Sequence, residues 1–243
     1  MFTSFFHSII YAPIYNALAL LVSWVPYGDV GIAIILITVV VKLILFPLAV
    51  KASHTQLAMR TLEPQLKEVR DKHKGNSQEI ALKTLALYKE NKVNPFASFL
   101  LLLLQLPVIL GLYWVIWAEG KEGAFDPAIL YSWVTAPDVS SFTFLGLIPI
   151  AQGSIVLCIL VAISQYILSK LMMPTAPAPS GKSFQDDLAK SMHLQMRYVF
   201  PVILGVISYV ATAAIALYFV TSNIFGIIQE LVARQRHKET HGS

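Results

Sequence analysis

Between Val30 and Val50 the sequence carries one charged residue, Lys42, in a run that is otherwise almost wholly apolar. A run of that length suffices to cross a bilayer as a helix, which takes about 20 apolar residues, and within lipid only a helix or a closed barrel satisfies its own backbone. An ammonium at the centre of such a helix costs roughly 2.5 to 3.5 kcal/mol on insertion scales, so it demands a solvating partner. Acids occur at Asp29, from Glu63 to Glu90, from Glu119 to Asp138, at Asp186 and Asp187, and at Glu230 and Glu239, none of them within the run that holds Lys42. Water or a guest must therefore solvate Lys42. Snorkelling is the plainer reading, since Val50 is eight residues further on, roughly 12 Å along a helix, and a Lys stem covers about half of that. Thr38, four residues back on the same helix face, argues against it by carrying a polar stripe deeper into the run.

The rest of the composition agrees with a membrane chain. Of 243 residues, 56% are hydrophobic and 13% charged, and several further apolar runs recur, which points to one all-α membrane domain. Cys158, the lone cysteine, lies in an apolar run, so neither a disulfide framework nor a cysteine-built metal site is proposed. The histidines are scattered through flanks and loops and no Gly-rich phosphate loop is present, so no cofactor or metal is expected. The net charge of +4 is not gathered on one soluble face, so specific nucleic-acid binding is not expected either.

Instead the cations mark a topology. Nine Lys and Arg lie between Lys51 and Lys92, four between Lys170 and Arg197, and three between Arg234 and Lys238; such segments face the cytoplasm. The first 41 residues have none, and Glu119 to Asp138 is acidic with Lys121 alone, so both belong outside. The chain accordingly divides into an interfacial helix at 1–29, a first span at 30–50, a helical hairpin at 51–92, a second span at 93–117 and an outer loop at 118–147. A third span at 148–173, a cytoplasmic loop at 174–196, fourth and fifth short spans at 197–231 and a basic tail at 232–243 complete it. With five crossings, the amino terminus is outside and the carboxyl terminus inside. The hairpin's two arms, Pro64 to Lys74 and Ser77 to Asn91, meet at Gly75-Asn76. Gln105 in the second span reads as an interhelical hydrogen bond or a ligand contact, and the third span carries Gln152, Ser154, Ser164 and Gln165.

In this order the residues resemble the YidC family of membrane protein insertases. The most specific pieces are Gly31-Ile32-Ala33-Ile34-Ile35 leading to Lys42 and Phe46-Pro47-Leu48, then Val93-Asn94-Pro95, Gln105-Leu106-Pro107, Leu217-Tyr218, Ser222-Asn223 and Gln229. The resemblance implies five transmembrane helices around a hydrophilic groove, open to the cytoplasm and to lipid and closed towards the outside, in a bacterial plasma membrane. It implies that Lys42 stands where most members have Arg, keeping the charge and losing the planar fork. Phe219 stands where members often have Trp or Tyr, and Leu101 where many have Pro, and the chain looks like the short form without a large outer domain. On this basis the client-binding groove comprises Lys42, Thr38, Gln105 and Gln165, with Tyr218, Phe219 and Asn223 from the last span. The partners so implied are nascent membrane proteins and the lipid bilayer, with the Sec translocon and the ribosome as candidates. No bond is made or broken, so the chain is not read as an enzyme. Two other classes stand beside this one: a small anion channel or transporter, and a non-catalytic assembly subunit.

Overall fold

Asp29 starts the first long helix. Its Oδ1 accepts the Ile32 amide at 2.9 Å, which satisfies one of the orphan donors of a helix amino terminus. The computed structural model describes residues 6–73, 75–94, 97–122, 125–139, 142–172, 191 and 193–241. It has two compact units, one made of residues 1–43 with 106–232 and the other of 44–105 with 233–243.

In the first unit a π-turn, His7–Tyr11, leads into α1 (Ala12–Trp24), which has Pro near its start, where a missing amide donor costs nothing. One face of α1 buries Tyr15, Asn16, Leu18, Ala19 and Val22, and Gly111 has no side chain to hold Ile14 away from its backbone. The helix α2 runs over Val30–Thr61. It passes through Pro47 and continues beyond Val50, where the expected span ends, because Lys51 to Thr61 contains neither Gly nor Pro to stop it. Glu63–Lys72 and Ser77–Glu90 are α3 and α4, and α5 is Ala97–Glu122.

The segment read as an outer loop is folded in the part described. Strands β1 (Thr143–Phe144) and β2 (Ile148–Pro149) pair antiparallel with Thr143 opposite Pro149 and Phe144 opposite Ile148. Phe125, Val134, Phe142 and Ile150 are buried in the same core as α1. Then come α6 (Ile155–Met172), a π-turn at Gln195–Val199, α7 (Phe200–Ala211) and α8 (Ala213–His241). The long last apolar stretch breaks at Thr212, which is extended (φ −171°, ψ 161°). Helices α6 and α7 pack together, closely enough that a Cβ on Gly205 would stand 3.0 Å from the Cys158 carbonyl. The Cys158 Sγ would stand 3.6 Å from the same Cβ, an ordinary packing distance.

In the second unit α3 packs on α4. Asn76 caps α4 by accepting the Glu79 amide at 3.1 Å, His73 lies 3.1 Å from the Glu79 carboxylate, and Gly75 takes the positive φ of +93° that the turn requires.

Among the described residues, four helices are long and apolar enough to cross a membrane, over Val30–Ser53, Leu103–Gly120, Ile155–Met172 and Ala213–Gln235, and a shorter apolar helical stretch covers Gln195–Ala211. The described residues fit an all-α membrane protein, with one small β-hairpin among them. Two of the four segments include acids, Glu119 beyond the expected end of the second span and Glu230 at the end of the last apolar stretch, both buried. Most of the expected cytoplasmic loop at 174–196 lies outside the described residues.

Candidate functional site

The buried stripe of α2 passes through Val30, Ile34 and Thr38, and Lys42 follows Thr38 one turn later. Leu36, Val40, Leu43 and Ile44 are exposed, forming an apolar face suited to lipid. Lys42 is partly buried and lies on the flank of the buried stripe, off that exposed face. Among the described residues it forms no ion pair. Thr38 is buried, and its Oγ1 donates to the Ile34 carbonyl at 2.6 Å. The hydroxyl proton is thus committed to its own helix, leaving only lone pairs to a guest.

Asn223 on α8 is buried, and its Nδ2 donates to Ser164 Oγ on α6 at 3.0 Å. Ser164 in turn donates to the Val161 carbonyl at 3.1 Å. This relay crosses between two spans, where an interhelical hydrogen bond is worth about 0.6 to 2 kcal/mol. Gln165, next to Ser164, is partly buried and its Nε2 donates to Ser169 Oγ at 3.4 Å along the same helix. Tyr218 is buried in the core of the first unit, and the ring of Phe219, partly buried, meets it edge-on at 5.6 Å. Of the expected site residues, Lys42, Thr38, Gln165, Tyr218, Phe219 and Asn223 belong to the first unit and Gln105, partly buried, to the second.

Ser164 is the partner that gives Asn223 its place, and sequence reading noted it only as one polar residue among several. Three further polar residues, Asn16, Asp29 and Tyr15, are structural. Asn16 donates to the Ala12 carbonyl at 2.9 Å and the Ile129 carbonyl at 3.2 Å, and its Oδ1 accepts the Tyr131 amide at 2.6 Å. Asp29, besides capping α2, accepts the Leu145 amide at 2.6 Å through Oδ2. Tyr15 accepts the Asp126 amide at 2.6 Å and is hydrogen-bonded to Glu119. Burial, and then the Glu119 charge, push the Tyr15 phenol well above its ordinary range. Asp29 had a legible signal, an Asp directly before an apolar run; for Asn16 the partners outside its own helix are more than 100 residues away.

A family model described as 60Kd inner membrane protein matches residues 21–240. The chain belongs to the YidC family. A relative from Fusobacterium nucleatum subsp. nucleatum, named Membrane protein insertase YidC, is 30% identical over 203 residues, covering 84% of this chain and 85% of that protein. Relatives of the same name from Francisella philomiragia subsp. philomiragia and Francisella tularensis subsp. novicida are 31% and 30% identical over 214 and 238 residues, 88% and 98% of this chain. The chain spans only 34% and 37% of the length of those two proteins. Membership in the YidC family, with the apolar helices, places it among multi-pass bacterial membrane proteins.

Proposed function

We propose that the chain is a membrane protein insertase that receives client segments from the cytoplasm in a hydrated, positively charged intramembrane groove and releases them sideways into lipid. The observation that carries this reading is Lys42, a cation on the flank of the buried side of a spanning helix, in a chain whose relatives are named for insertion. In this reading the chain crosses the membrane five times, with the stretch Gln195–Ala211 as the short fourth crossing. The amino terminus lies outside, the carboxyl terminus inside, and α3 with α4 forms a cytoplasmic hairpin.

Within the first unit the groove draws on Lys42, Thr38, Gln165, Phe219, Tyr218 and Asn223, and the roles differ with their surroundings. Lys42 holds an acidic flank of the client by charge, while Thr38 and Gln165 offer acceptors and donors that keep water in place. Phe219 meets the apolar part of the client, and Tyr218 and Asn223 position the wall, being buried themselves. A polar site partway across shortens the path over which client charge is out of water, which lowers the desolvation barrier. Burial of the client's apolar segment in lipid supplies the free energy. The clients are nascent membrane proteins, and the Sec translocon and the ribosome are candidate partners.

Reconstitution of the purified chain in vesicles with a single-span client bearing a short acidic tail tests this. Lys42→Arg keeps insertion and Lys42→Leu weakens it. Equal insertion by both variants would reject the electrostatic step, and ion flux without client insertion would favour a channel.

A further inference from the structure

At the start of α2 two turns share an unusual feature. Tyr27 and Gly28 have φ of +62° and +61°, and Leu145 and Gly146 have φ of +53° and +67°. Consecutive left-handed residues ordinarily take Asn, Asp or Gly at the first position, because a Cβ there is strained. Here a Tyr and a Leu occupy those positions, and neither gains burial in return: Tyr27 is 94% exposed and Leu145 59%. Leu147, across the same turn, is 81% exposed, and Trp24, just before the first turn, 72%. An outlier held against its own preference is a reason to look for a function of the side chain it presents.

The two turns are joined. Asp29 follows the first and receives the Leu145 amide of the second at 2.6 Å. Phe144 lies so close to Gly31 that a Cβ there would stand 2.5 Å from its Cβ and Cδ2. The exposed side chains therefore gather at the end where α2, a helix long and apolar enough to span a membrane, begins. Residues 1–41 and 125–150 contain no Lys or Arg, and Asp126 and Asp138 are exposed nearby in sequence, so electrostatic attraction to anionic headgroups is ruled out as the driving force. What the patch fits is the boundary between headgroups and acyl chains, where Trp, Tyr and aliphatic tips reside.

We propose that the β-hairpin is a membrane anchor: its tip, Leu145 to Leu147, dips into the leaflet at the amino-terminal end of α2, beside Tyr27 and Trp24, and through Asp29 fixes the depth at which that span starts. The inference is independent of the insertase reading and of which side of the membrane this end faces.

The test uses the full chain with Cys158→Ser, so that one introduced cysteine carries an environment-sensitive fluorophore, in phosphatidylcholine–phosphatidylglycerol vesicles. A label at Leu147→Cys is expected to lose intensity to phosphatidylcholine bearing a nitroxide near the top of its acyl chain and to resist iodide, unaffected by high salt. A label at Ala136→Cys, exposed in the same connecting segment, is expected to do the reverse. If Leu147→Cys is as open to iodide as Ala136→Cys, the anchor is wrong; if it is shielded from both quenchers, protein and not lipid covers the tip, and the proposal is equally overturned. Adding Asp29→Ala is expected to reduce nitroxide quenching at position 147, and unchanged quenching would refute the coupling to α2.

Discussion

Asn223 Nδ2 stands 3.0 Å from Ser164 Oγ, so two membrane-crossing helices far apart in sequence share one buried hydrogen bond. Removing one partner strands the other. Ser164→Ala is expected to cost about 1 to 2 kcal/mol, Asn223→Leu a similar amount, and a double-mutant cycle in detergent to return a coupling of about 0.6 to 2 kcal/mol. A coupling near zero would mean that water replaces the bond.

Lys42 separates stability from activity. Replacing a partly buried cation by Leu removes a desolvation cost, so Lys42→Leu is expected to stabilise the protein, on the order of 1 to 3 kcal/mol, while client insertion falls. Unfolding in mild denaturant gives the first quantity and a reconstituted insertion assay the second. A variant that loses both would make Lys42 a structural residue.

At Asp29 one carboxylate serves two amides, of Ile32 and Leu145. Asp29→Ala is expected to cost about 1 to 2 kcal/mol from the lost cap, and amide exchange should accelerate at both residues. Exchange that quickens at Ile32 alone would show that the β-hairpin holds itself.

The approach of Gly31 to Phe144 leaves no room for a methyl group. Gly31→Ala is expected to destabilise by about 1 to 3 kcal/mol, and to cost less in a Phe144→Gly background, which removes the Cβ, Cγ and Cδ2 atoms that the new methyl group would meet. The cost would be the same in both backgrounds if helix strain, and not this contact, were the cause.

Tyr15 gives a pH dependence with a definite sign. Its folded-state pKa is raised above the ordinary 10.0, so below that value both states hold the proton and nothing changes. As pH rises past it, the unfolded chain releases the proton and the folded one keeps it, so stability falls. Thermal unfolding followed above pH 10 should show this loss in the native chain and less of it in Tyr15→Phe.

The spans were legible because a run such as Val30 to Val50 announces itself by composition, and the break at Thr212 because 34 residues from Tyr198 to Leu231 exceed one crossing. The site was legible only as a set of polar residues in apolar surroundings. Thr38 looked like part of an open polar stripe, yet its proton is held by Ile34, a choice that any helical Thr can make. Asn223 finds Ser164 across 59 positions of sequence, and no local pattern encodes such a pairing. The segment after α5 read as a loop because its order comes from Tyr15, Asn16 and Asp29, whose bonds to it span 111 to 116 positions. That α2 runs on past the expected span has another reason: polarity marks where lipid stops, and a helix stops only where its backbone is broken.

Thr212 also limits how the spans can move. The amides that follow it, of Ala213 and Ala214, donate to the carbonyls of Gln152 and Ile150 at 2.6 and 3.1 Å, just ahead of α6. Three helix ends are thereby riveted at one level, where α6 begins, α7 finishes and α8 sets out. Any parting of these rods must pivot there, like the legs of a tripod about its head, and spread widest at the opposite membrane surface.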